Sequence, residues 1–226
     1  MMPMQTQILT RLTETNQLIN RFLLKEKMEP RDYLWKTYVL PYLKEQDIHL
    51  IEELPTSSMA CFSAFTVKSR CSTAIFLNPN IPLGRKNFSI CHELNHCLFD
   101  FNQITPAQSF FSMEENPSLY KKEELAVEHL ANAGAGVFML PDITILAYLD
   151  QPISFPKMAE QLEMTQAALY IRLTQFMLYR TGISLDQARR VINLFRYYGK
   201  KEALQRYLSG WGSTVRAQII LDYENC

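Results

Sequence analysis

The sequence predicts an α+β fold: a mostly helical domain holds a small antiparallel sheet of about three strands and precedes a helical, helix-turn-helix-like C-terminal region. Apolar residues recur at helical spacing over most of the 226 residues. Between positions 47 and 77 they instead form strand-like runs separated by turn residues. Seven glycines are few for a turn-rich all-β protein, which favours helix.

The N-terminal part predicts two helices, at 4–26 and 30–44. The second begins at Pro30, a residue suited to the first turn of a helix. Pro41 should kink or shorten this helix, because proline lacks a backbone N–H. We assign residues 1–45 no task beyond packing.

Three short strands follow, at 48–51, 59–67 and 72–77, and the third ends in an Asn-Pro-Asn turn. Consecutive short strands suggest an antiparallel sheet. This sheet is expected to pack against the next helix, which covers 85–100.

The rest of the chain is predicted as a long loop at 101–119, a helix at 120–140 and further helices from 153 to about 208. Long loops in compact domains are often functional or mobile. We divide the chain into a domain of residues 1–150 and a helical region of residues 151–226.

Composition narrows the function classes. The 23 basic and 23 acidic side chains cancel, so no overall charge draws the protein to nucleic acid or to anionic membranes. The five cysteines form no C-x-x-C pair and predict reduced thiols. Because the sequence shows no secretory leader and no apolar run of roughly 20 residues, we expect a cytoplasmic protein without membrane contact.

The most informative motif is H-E-x-x-H at His92, Glu93 and His96. Residues four apart lie on one face of a helix, so two imidazoles there can bind one metal ion. Glu93 leaves the helix about 100° around the axis from His92 and can reach a metal-bound water. This is the arrangement that a zinc hydrolase needs. The simpler alternative is a structural histidine pair, which is costly to bury on an apolar stretch unless something satisfies it.

A catalytic zinc ion normally takes a third protein ligand. The next helix offers four candidates: Glu123, Glu124, Glu128 and His129. Glu128 and Asn132 share a face that is otherwise apolar or small, which favours Glu128 as the ligand and Asn132 as a residue that orients a ligand. His129 projects about 100° away from Glu128, and the alternative is that Glu128 is a solvated residue. Gly134 and Gly136 predict a close approach of a neighbouring helix, since glycine is otherwise unfavourable inside a helix.

The segments 85–96, 128–132 and 138–141 together resemble the ImmA/IrrE family of metallopeptidases. In that family a basic and aromatic lead-in precedes H-E-x-x-H, and the third ligand is the Glu of an E-x-x-A-N segment. The resemblance covers roughly residues 48–178 and implies a zincin-like domain with one zinc ion, Zn2+. Carried over by position, it implies these roles: His92, His96 and Glu128 as ligands, Glu93 as general base, and Asn132 as a residue that holds a ligand in place.

Three positions depart from the family pattern. Asn95 stands where the family usually has glycine, Cys91 where it favours a small residue, and Gly134 where an aromatic residue is expected. None of the three removes a ligand. The packing of helix 120–140 is therefore expected to differ from that of the family.

The stretch 157–178 has the spacing of a helix-turn-helix. Thr165 would cap its second helix. Its core would consist of Ala159, Leu162, Leu169 and Leu173. Residues 151–209 hold nine basic and four acidic side chains, but the sequence after Thr165 offers little polar reach to base edges. We favour packing or protein binding over direct DNA binding for this stretch.

The leading hypothesis is a cytoplasmic zinc endopeptidase. The resemblance implies that its protein substrate is a helix-turn-helix repressor, cleaved in a stress or mobile-element response. The oxyanion that forms during peptide hydrolysis also needs a hydrogen-bond donor. The open candidates are Tyr120, Tyr148 and Arg172. One alternative is a non-catalytic regulator that is braced by metal and binds a repressor or DNA through its C-terminal helices. The other is a DNA-binding repressor that acts through 157–178.

Overall fold

The computed structural model describes residues 3–52, 62–69, 71–101, 108–113 and 122–226. It confirms the α+β class, because helices dominate and a single small sheet joins them in the described part of the chain. The helices are α1 (Met4–Glu26), α2 (Trp35–Glu45), α3 (Leu83–Phe99), α4 (Lys122–Met139), α5 (Asp142–Leu149), α6 (Phe155–Gln161), α7 (Gln166–Thr181), α8 (Leu185–Tyr198), α9 (Glu202–Ser209) and α10 (Val215–Glu224).

The sheet has four described strands in the order β1-β3-β2-β4. They are β1 (Ile48–Ile51), β2 (Phe62–Lys68), β3 (Thr73–Leu77) and β4 (Gln108–Met113). β2 pairs antiparallel with β3 and with β4, whereas β1 pairs parallel with β3. The sheet is therefore mixed, not purely antiparallel as expected, because β1 pairs with β3 instead of with its neighbour in sequence.

The prediction of a loop over the whole of 101–119 is wrong in part, because residues 108–113 form strand β4 at one edge of the sheet. β4 pairs with β2, with a register shift between Phe62 and Phe65. The strand to which β4 is hydrogen-bonded lies far away in sequence, so no local sequence pattern predicts β4. The segments 102–107 and 114–119 of that loop lie outside the described residues.

The second predicted helix begins differently from the expectation. Pro30–Asp32 forms a short 3-10 turn, and α2 begins only after two residues of extended backbone, Tyr33 and Leu34. Tyr33 is fully buried, and its hydroxyl donates to the carbonyl oxygen of Phe138 at 2.8 Å. This contact with α4 explains the break, and α2 then continues through Pro41 to its end.

α3 and α4 lie side by side at the centre of the fold, and α1 packs against α4. A Cβ atom on Gly134 would lie 1.9 Å from Nδ2 of Asn95 on α3. A Cβ atom on Gly136 would lie 3.1 Å from Cδ of Arg172 on α7. The close approach predicted at these two glycines is thus confirmed, and it brings α3 and α7 against α4.

α6 and α7 form the predicted helix-turn-helix arrangement. Its expected core residues Ala159, Leu162, Leu169 and Leu173 are buried. Thr165 caps α7 by accepting the backbone N–H of Ala168 at 3.0 Å. Glu163 adopts φ of +54° in the turn, and its carbonyl oxygen accepts a hydrogen bond from Asn87 of α3 at 3.0 Å. The turn therefore packs directly against the helix that carries the histidines.

Among the described residues, no single helix combines the length and the apolar character needed to cross a membrane. Leu125–Met139 and Asp142–Leu149 reach that threshold only as a pair, across a bend of 47°. Cys71, Cys91, Cys97 and Cys226 are free thiols, and Cys61 lies outside the described residues.

Candidate metal centre

The two motif histidines project from the buried face of α3. Ile90, Cys91 and Leu94 anchor this helix in the core, which holds the neighbouring imidazoles below the surface. His92 is 4 % exposed and His96 is fully buried. Their Nε2 atoms lie 3.0 Å apart, because residues four apart stack on consecutive turns. The structure therefore directs both rings at one point.

Glu128 reaches the same point from α4. Its Oε2 lies 3.2 Å from Nε2 of His92, and its Oε1 lies 3.4 Å from Nε2 of His96. Ligands about 2.0–2.1 Å from a tetrahedral zinc ion are separated by about 3.3 Å, so these spacings match three corners of such a site. His92, His96 and Glu128 are buried and form the one group of this kind among the described residues.

The opposite side of each imidazole contacts an acceptor. Nδ1 of His92 lies 3.0 Å from Oδ1 of Asn132, and Nδ1 of His96 lies 2.9 Å from Oδ2 of Asp100. Each Nδ1 donates to its acceptor, so Nε2 of each ring faces the point shared with Glu128 and can there hold either a proton or a metal ion. Several acceptor atoms converge there, and a cation satisfies them together. The donor set thus fits zinc, which prefers His nitrogen and carboxylate oxygen.

The electrostatics of the group also favour a cation. Burial opposes the charged form of His96, but hydrogen bonds with Asp100 and Glu128 raise its pKa to about 9. Burial likewise opposes ionisation of Glu128, yet hydrogen bonds with His92 and His96 lower its pKa to about 2. The carboxylates around the imidazoles thus create a local field that stabilises positive charge.

Glu93 is fully buried beside the two histidines and does not belong to the group of three. Oγ1 of Thr66, on β2, donates to Oε2 of Glu93 at 2.6 Å. Burial raises the pKa of Glu93, although His92, His96 and the Thr66 hydrogen bond act in the opposite direction. A raised pKa makes a carboxylate a stronger base, which suits it to accept a proton and return it.

A family model described as the IrrE N-terminal-like domain, peptidase M78, matches residues 43–174. The chain belongs to the IrrE N-terminal-like family. The match includes the sheet, α3 and α4, and it ends within α7, so the family supports a metallopeptidase-like role for this centre. α1 precedes the matched segment. Comparisons with curated proteins and with solved structures found no match.

Three side chains of the IrrE-like centre were missed by sequence reasoning. Asp100 stands four residues after His96, so helical spacing alone was sufficient to nominate it. Thr66 lies on β2, and Arg11, which contacts Asp100, lies on α1. Neither of these two has a local signal, because each approaches α3 only through the tertiary fold.

The other candidates do not join the described group. His129 is exposed, and the side chains of Glu123 and Glu124 lie outside the described residues. The Arg172 guanidinium, an oxyanion candidate, is buried against Asp142 and the carbonyl oxygen of Leu140. The pKa of Tyr148 is raised, mainly by burial and in addition by the carboxylate of Asp32. Tyr120 lies outside the described residues.

Proposed function

We propose that this protein is a zinc-dependent endopeptidase. The observation that carries the proposal is the convergence of His92, His96 and Glu128 at tetrahedral spacings, with both Nε2 atoms turned inward. The buried carboxylate of Glu93 beside them supports hydrolysis over a purely structural role. In the described part of the chain the group holds three ligands, whereas a structural zinc site is normally closed by a fourth.

Each residue has a defined task in this proposal. His92, His96 and Glu128 would hold the zinc ion, and Asn132 and Asp100 would orient the two rings through Nδ1. Zinc, when bound, would polarise the scissile carbonyl and lower the pKa of a water molecule. The carboxylate of Glu93 would accept a proton from the attacking water and return it to the leaving amine.

We extend the proposal to the substrate: a helix-turn-helix transcriptional repressor, cleaved in the cytoplasm during a stress or mobile-element response. The ImmA/IrrE resemblance supports this part. The exposed start of α7 bears Gln166, Ala167 and Ile171, a face poor in groups that read base edges, which supports a protein partner over DNA.

The test compares wild type with Glu93→Gln on purified helix-turn-helix repressors. Glutamine keeps the shape of the side chain but accepts no proton, so the variant should bind zinc normally and lose cleavage. Chelator should abolish wild-type cleavage, and zinc should restore it.

Equal cleavage by the two proteins would refute Glu93 as the base. A wild type that holds zinc, unfolds when the zinc is removed and cleaves no repressor would instead support the non-catalytic regulator.

A further inference from the structure

Arg11 of α1 is buried against the C-terminal end of α3, with 8 % of its side chain exposed. Its Nη2 donates to Oδ1 of Asp100 at 2.6 Å, and its Nη1 lies 3.3 Å from Oδ2 of the same carboxylate. Nη1 also donates to Oδ1 of Asn95, and Cζ lies 4.5 Å from the ring centroid of Phe99. These partners all belong to α3 or to the residue that follows it.

Asp100 occupies an unfavourable place for an acid. It is the C-cap of α3, where the partial negative charge of the helix end repels a carboxylate. Its Oδ2 nevertheless accepts the hydrogen bond from Nδ1 of His96. Helix stability therefore does not explain this carboxylate, whereas orientation of His96 does. Arg11 supplies the positive charge that offsets its position.

We propose that Arg11 is a positioning residue of the metal centre. Its two-pronged contact fixes the Asp100 carboxylate, which in turn keeps Nε2 of His96 directed at His92 and Glu128. The inference rests on the proposed function, because it assumes that these three residues bind zinc. It assigns to α1, which precedes the family match at 43–174, a part in the site itself.

α1 also has a separate packing surface, which allows the two roles to be distinguished. Leu12 is 6 % exposed and packs in a small apolar cluster with Ala133 and Val137 of α4. Neither α4 residue contacts the Arg11 guanidinium through a hydrogen bond or an ion pair. The packing of α1 can therefore be weakened at Leu12 while the contact of Arg11 with Asp100 is left in place.

The experiment uses the full-length protein in three variants, Arg11→Met, Arg11→Lys and Leu12→Ala. Zinc affinity is measured by competition with a chromophoric chelator, the ligand geometry from the visible spectrum of the cobalt-substituted protein, and folding from thermal unfolding without metal. Arg11→Met should weaken zinc binding about 10- to 100-fold and alter the cobalt spectrum, the range typical for loss of a residue that supports a ligand.

Arg11→Lys should fall between wild type and Arg11→Met, because lysine keeps the charge but lacks the planar fork. Leu12→Ala should unfold at a lower temperature and bind zinc with wild-type affinity. If Arg11→Met does not fold, the comparison of Arg11→Lys with Leu12→Ala decides the question.

Wild-type affinity and cobalt spectrum in the Arg11 variants would overturn the inference and leave the peptidase proposal intact. Equal weakening of zinc binding by Leu12→Ala would also overturn it, since packing of α1 would then be the cause. A wild type that binds no zinc would overturn the proposed function and this inference together.

Discussion

The side chain of Asn95 occupies the space that a side chain at position 134 would need. A Cβ atom on Gly134 would lie 1.9 Å from Nδ2, 2.5 Å from Cγ and 2.8 Å from Oδ1 of Asn95. The resemblance to the ImmA/IrrE family implies glycine at the first position and an aromatic residue at the second. The steric relation between Asn95 and Gly134 fits two departures that compensate each other across the contact between α3 and α4.

Gly134→Ala should therefore destabilise the protein, although alanine is favoured over glycine in a helix by about 1 kcal/mol. We expect a loss of about 1–3 kcal/mol in the free energy of unfolding, the usual range for overpacking a core. The measurement is urea unfolding of Gly134→Ala, Asn95→Ala and the double variant. Since Asn95→Ala removes the three clashing atoms, the double variant should be more stable than the sum of the single changes predicts. Strict additivity would contradict the compensation.

Glu128→Ala should abolish tight zinc binding, because the centre loses its carboxylate corner and keeps two imidazoles. His129→Ala is the matched control, since His129 is the adjacent residue of α4 and is exposed. Metal content after dialysis, measured by atomic emission, should be near zero for the first variant and one zinc per chain for the second. If His129→Ala lost its zinc and Glu128→Ala kept it, His129 and not Glu128 would be the third ligand.

Thr66→Val should lower kcat without lowering zinc content. The Thr66 hydroxyl donates to Glu93, and a hydrogen bond to a charged group contributes about 1.5–3 kcal/mol, so a loss of at least about tenfold is expected. Thr66→Ser keeps the hydroxyl and should retain most of the activity. Steady-state kinetics on a cleaved repressor checks both variants, and equal kcat values for valine and serine would show that the contact does not position Glu93.

Asp142 should stabilise the protein at neutral pH and lose this effect in acid. It is buried between Arg172 and Arg180, and although burial acts to raise its pKa, these two cations lower it. A carboxyl group with a lowered folded-state pKa contributes stability above its unfolded pKa of about 3.9, and that contribution disappears as the pH falls through the folded value.

Asp142→Asn should accordingly cost about 3–5 kcal/mol at pH 7, because it leaves the buried guanidinium of Arg172 without its ionic partner, whereas Arg180 keeps Asp222. Its deficit relative to wild type should shrink as the pH falls below about 4. Asp150→Asn is the control, since the exposed pair of Asp150 and Arg216 should contribute no more than about 1 kcal/mol. Urea unfolding at several pH values makes the comparison, and a deficit that is constant with pH would contradict the role of ionised Asp142.

Local periodicity accounts for much of what the sequence predicted. His92 and His96 share a face because they are four apart, and the same spacing placed Glu128 and Asn132 together on α4. The core of the helix-turn-helix arrangement and its Thr165 cap followed from the same reasoning. The division of the chain at residue 150 stays a prediction. One apolar core includes buried side chains from both sides of that residue.

By itself, then, the sequence determined most of the helices, the pair of imidazoles and the carboxylate most suited to join them, since each depends on spacing within one segment. It did not predict α5, and α2 begins later than predicted. The tertiary structure alone decided the strand order, the existence of β4, the contact of Thr66 with Glu93 and the reach of Arg11 from α1 to Asp100. These features join segments far apart in the chain, and side-chain periodicity within a segment carries no information about which distant segment will lie against it.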